Sequence, residues 1–130
     1  MGTFTQWVAV AAAVGVASLS IFQILLASGL PLGHAAFGGE YRVLPKKLRY
    51  VSALSAAIFL VAFYVILTRG GLLGRGRQES SPIRVGIWVL VAIFSVSALA
   101  NVASRSRWER RLMAPVALVL ALCCVEVALH

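Results

Sequence analysis

Four stretches of apolar residues alternate along the chain with three short polar ones. The apolar runs cover about residues 7–30, 48–68, 85–103 and 112–129. Each approaches the roughly 20 residues a helix needs to cross a hydrocarbon layer at about 1.5 Å per residue. Open strands are excluded at that depth because lipid cannot satisfy their backbone N–H and C=O groups. The pattern predicts an all-α protein: a four-transmembrane-helix bundle forming a single integral membrane domain over residues 1–130. The first run is longer than the apolar core of a signal peptide, and no Lys or Arg precedes it, so it is expected to be retained rather than cleaved.

Proline falls at the edges of these runs. Pro115 is placed in the first turn of the fourth helix, where a missing N–H costs little; Pro45 suits the start of the second, and Pro82 closes the polar stretch before the third. No helix is expected to be broken. Small residues recur at four-residue spacing, Ala11 with Gly15, Ser52 with Ala56 and Ala117 with Ala121, which lets helices approach closely.

Composition agrees with lipid as the solvent. At 61% hydrophobic and 12% charged, a 130-residue chain carries more apolar surface than one small core could hide from water. The net charge of +8 would suit a phosphate backbone, but the charges form rims between apolar runs rather than a groove-sized stripe. Nucleic acid is therefore not expected as a partner, and membrane lipids are. Loop one carries Arg42, Lys46, Lys47 and Arg49, and loop three carries Arg105, Arg107, Arg110 and Arg111; the opposite side has Arg69, Arg75, Arg77 and Arg84. This bias of eight to four predicts loops one and three in the cytoplasm and both termini outside, in a cell inner membrane.

Candidate chemistry gathers at that same end. Loop one, GLPLGHAAFGGEYRVLPKKLR from Gly29 to Arg49, holds four of the eleven glycines beside His34, Glu40, Tyr41 and Arg42. Its apolar Leu30, Leu32, Ala35, Ala36 and Phe37 predict that it folds back on the bundle, with Phe37 shielded, since irregular backbone near a membrane must be covered. Ser97, Asn101, Ser104 and Trp108 recur on one helical face, and Gln23 lies past the middle of the first span on the same side. The N-termini of the second and fourth helices point there too, and their unpaired N–H groups favour an anion. Arginine suits planar, bidentate recognition of phosphate or carboxylate. The expected ligand-binding set is therefore His34, Glu40, Tyr41, Arg42, Arg49, Asn101 and Arg105.

Plainer roles compete for the same residues. The arginines also serve as interfacial anchors, Arg107 or Arg110 could form exposed pairs with Glu109, and Gln23 and Asn101 could join helices by hydrogen bonds of about 0.6 kcal/mol. Glu126, the one carboxylate within a span, lies about one turn from the chain end, where its head can reach water. Cys123 and Cys124 are adjacent within an apolar run and offer no metal or redox spacing. The chain has no aspartate, no HExxH, no Walker loop and no GxSxG, which disfavours two-metal and aspartyl-phosphate chemistry. No metal or other cofactor is expected.

The segments GGEYRVLP (Gly38 to Pro45) and NVASRSRWER (Asn101 to Arg110) resemble those of a group of small four-helix bacterial integral membrane proteins. The resemblance spans essentially the whole chain and implies topology and a bacterial inner membrane, with no catalytic residue to carry over. Size and helix count are also similar to those of small multidrug resistance transporters, which rely on a glutamate in the first helix; here that helix has Gln23 and no carboxylate. The DoxX-like four-helix proteins share architecture without a matching motif. Three functions stay open: binding or moving an amphipathic or anionic small molecule or lipid at the loop-one/loop-three face, with a homodimer as one assembly; a membrane enzyme using His34 and Glu40 on a lipid-borne substrate; and a structural accessory subunit of a membrane complex.

Overall fold

In the computed structural model the described residues are 2–33, 36–74 and 76–130, Phe37 by its backbone alone. They form an all-α four-helix bundle of α1 (Thr3–Ala27), α2 (Lys46–Arg69), α3 (Ser81–Val102) and α4 (Ala114–Leu129). A π turn, Glu109–Met113, leads into α4. Each helix, the fourth taken with its π turn as Glu109–Leu129, is long and apolar enough to cross a membrane, as fits a small integral membrane protein. Consecutive helices pair, α1 with α2 and α3 with α4, and the two hairpins meet through α1 on α4 and α2 on α3.

Apolar residues surround every helix, so hydrophobic period does not mark the inner face; on α1 and α4 small residues make up much of it, whereas α3 turns Ile83, Ile87, Leu90 and Phe94 inward. Ala9, Ala12, Ala13 and Val16 of α1 are buried, while Val14 and Ile21 face outward. Small residues bring the backbones together. A Cβ built on Gly15 would stand 3.0 Å from Leu120 Cδ2, and one on Gly70 would stand 2.7 Å from Ala9 Cβ. Ser52, Ala56, Ala117 and Ala121 are buried as their spacing suggests, whereas Ala11 is exposed. Wider rings fill the middle of the bundle, where Phe59 and Phe94 stack with centroids 6.2 Å apart.

The helix ends differ from the sequence-based spans in instructive ways. Ser80 immediately precedes α3 and Pro82 lies within its first turn, so the third span begins before Val85, where proline's fixed φ suits a helix start. In the fourth span the helical backbone begins at Arg107 and runs through the π turn, which places Pro115 inside a continuous helix. A proline there removes one N–H and crowds the carbonyl four residues back. The wider π turn just before it accommodates that defect without a break.

Two buried serines give a paired prediction. Ser20 Oγ donates to the Ala56 carbonyl at 3.0 Å and ties α1 to α2. Ser52 Oγ is equally buried with no hydrogen-bond partner among the described residues. Ser20→Ala should cost about 1 kcal/mol, and Ser52→Ala should be neutral or stabilising because it removes an unmet polar group. Thermal unfolding in detergent distinguishes them; equal shifts would mean that the Ser20 bond contributes nothing.

Candidate functional site

Loop one lies against the bundle. Ala36 and Leu44 are buried with Leu26 of α1, and Phe22, Leu32 and Leu48 pack around them. The expected shielding of Phe37 falls on a side chain outside the described set. The Gly33 N–H donates to the Arg42 carbonyl at 2.8 Å, folding the loop on itself. That approach requires glycine, since a Cβ on Gly33 would collide with the Tyr41 carbonyl.

Beneath the loop is a cavity of about 260 Å³ that opens between all four helices. Its wall is apolar toward the bundle centre, with Phe22, Phe59 and Phe94 among its lining, and polar groups come from Gln23, Ser55, Ser97, Asn101 and Glu109. Gln23 is part of that lining, and its Oε1 is buried without a hydrogen-bond partner among the described residues. A buried acceptor left unmet costs free energy that a ligand or water can recover by donating a hydrogen bond.

Glu109 joins the two loops over this cavity. Its Oε1 accepts the Gly38 N–H at 2.7 Å from loop one and Ser104 Oγ at 2.6 Å from loop three. Ser106 Oγ accepts the Glu109 N–H at 3.4 Å, and Ser104 Oγ accepts the Ser106 N–H at 3.0 Å. Ser106-Arg107-Trp108-Glu109 is thus a helix-start serine with a glutamate three positions on, a signature visible in the sequence but read there only as an exposed pair. Glu109 forms no salt bridge with Arg107 or Arg110; Arg110 Nη1 instead donates to the carbonyls of Ser104 and Arg105.

The expected ligand set separates. Asn101 lines the cavity, as does Ser97 from the same face of α3. Arg49 turns back along α1, its Nε donating to the Ala27 carbonyl at 2.9 Å, and lines a separate pocket with Lys46 and Tyr50. Glu40, Tyr41, Arg42 and Arg105 are exposed and do not line the cavity. His34 lies outside the described residues, so its pairing with Glu40 does too. Glu109 is then the one charged group lining the cavity among the described residues.

At the opposite end Glu126 Oε1 accepts Thr5 Oγ1 at 3.1 Å, and its Oε2 lies 3.7 Å from His130 Nε2. This carboxylate is tied to the mouths of α1 and α4, away from the cavity. Comparison with protein-family models, curated proteins and solved structures finds no match to the chain.

Proposed function

We propose that the protein binds an amphipathic small molecule or lipid at the loop-one/loop-three end of the bundle, with its head group in the interior cavity. The observation that carries this reading is the unmet Gln23 Oε1 on a residue lining a cavity that is apolar on one side and polar on the other. About 260 Å³ is slightly below the roughly 300–1,000 Å³ of enclosed small-molecule pockets, which suits a head group whose tail extends between helices. The charge balance favours a neutral, hydrogen-bond-donating head over an anion, because Glu109 would repel a phosphate or carboxylate. Gln23 accepts from that head, Asn101 and Ser97 supply further polar contacts, and the phenylalanines cover its apolar part. The eight-to-four charge bias supports placing this end in the cytoplasm, and the two resembling segments support a bacterial inner membrane.

Native mass spectrometry of the detergent-purified protein tests the reading. The wild type should retain a small molecule or lipid, and Gln23→Leu should lower retention roughly tenfold, as expected for one lost buried hydrogen bond. Ser18→Ala, on an exposed part of α1, should leave retention unchanged. No retained molecule, or equal retention by wild type and Gln23→Leu, would return the chain to the accessory-subunit reading.

A further inference from the structure

A second amphipathic site lies on the outer surface, sharing no lining residue with the interior cavity. Arg107, Trp108, Arg111 and Leu112 line an open surface pocket of about 350 Å³ where the fourth helix begins. Four residues after Arg111, past the end of the π turn, stands Pro115. It helps to line an almost wholly apolar groove of about 550 Å³ between α3 and α4, with Leu99, Val102, Ala114 and Leu118. Arg110 also lines this groove.

Among the described residues no carboxylate pairs with Arg107 or Arg111. Of the four acidic residues, Glu79 pairs with Arg69, and Glu126 is held by Thr5 and His130. Glu109 is taken up by Gly38 and Ser104, and Glu40 makes no ion pair among the described residues. Arg107 and Arg111 likewise make none. They stand one turn apart beside an exposed tryptophan, and two like charges so placed gain from an external anion. Two guanidinium forks match the oxygens of a phosphate diester, and the apolar groove that begins at the neighbouring Arg110 matches a hydrocarbon chain.

We infer that this surface holds one anionic phospholipid, its phosphate between Arg107 and Arg111 and an acyl chain in the α3–α4 groove. The bound lipid neutralises the start of the fourth helix and covers the gap beside Pro115. The inference is independent of the proposed function, since site, charge and ligand class all differ.

The test uses the full chain in nanodiscs of mixed phosphatidylglycerol and phosphatidylcholine, with native mass spectrometry of the lipid retained after release. Wild type should keep phosphatidylglycerol in preference, and the double variant R107Q/R111Q should lower that retention by roughly tenfold or more. Leu99→Trp, which fills the groove and alters no charge, should lower it as well. Arg84→Gln, on the other membrane face, should leave it unchanged. Equal loss in Arg84→Gln would show a general attraction of anionic lipid and overturn the site. Displacement by inorganic phosphate, or no effect of Leu99→Trp, would show an anion pocket without a place for a chain, and would overturn the phospholipid.

Discussion

Arg69→Met should loosen the end of the bundle that holds loop two and the C-terminal part of α4, while the four helices persist. Arg69 ends α2 and is only 7% exposed. Its Nη1 donates to Glu79 Oε1 at 2.6 Å and to the Gln78 carbonyl at 3.3 Å; its Nη2 donates to the Ala128 carbonyl at 3.0 Å. One guanidinium therefore joins α2, loop two and α4. It also meets one of the carbonyls that every helix C-terminus leaves unpaired. A methionine keeps most of the buried stem but has no donor, so the Ala128 carbonyl loses its charged partner. Bonds to charged groups are worth about 1.5–3 kcal/mol, and a loss of about 2–3 kcal/mol is expected. It should appear as a lower thermal midpoint in detergent and faster amide exchange in loop two and around residues 126–130. An unchanged midpoint would mean that packing of the stem, not its donors, holds this end.

The same contact has a pH signature of definite sign. The Glu79 carboxyl is held below the usual glutamate range, first by the hydrogen bond from Arg69, then by the charge of Arg69, with a smaller effect from Arg84. A lowered folded-state pKa contributes stability above the ordinary glutamate value, and that contribution is lost as pH falls through the lowered one. Glu79 is largely exposed, so the effect is modest and salt-sensitive. Loop two of the wild type should lose exchange protection on the acid side, and Arg69→Met should show no comparable loss.

Arg69 also shows where sequence reading stops. Length and apolarity reveal four spans because crossing lipid demands both. The inner faces stay hidden, since a helix apolar all round has no hydrophobic period to read, and only size sets Ala9 and Ala13 apart from Val14. Counting cations reveals a rim, not where each long side chain goes. Arg69 was one rim charge among four until loop two folded Glu79 onto it; similarly Arg49 turns to the last carbonyl of α1 and Arg110 to carbonyls of its own loop. Asn101 was legible because a short side chain on a regular helix stays where its register puts it. The phenylalanines lining the cavity could not be told from lipid-facing ones.

Glu109 carried a legible local signal and a hidden distant one, and its removal should have the larger consequence for the cavity. The serine three residues before it announces a helix start, but nothing in the sequence says that its carboxylate reaches Gly38, 71 positions away in the chain. Gly38 holds φ at 77°, a left-handed conformation that glycine adopts readily, and its N–H meets Glu109 in that conformation. Glu109→Ala deletes the acceptor for both Gly38 and Ser104. Because the Gly38 contact is exposed, a loss of about 1–3 kcal/mol in loop-one docking is expected rather than the full value of two buried charged bonds. Limited proteolysis of the intact protein should then cut around Gly38 and Gly39, and the Gly38 amide should exchange faster. Glu109→Gln retains an amide oxygen that can still accept, so it should be milder; an equal effect would assign the contact to charge instead of geometry. If neither variant exposes the loop, then Leu26, Ala36 and Leu44 hold it by packing alone, and Glu109 only caps the fourth helix.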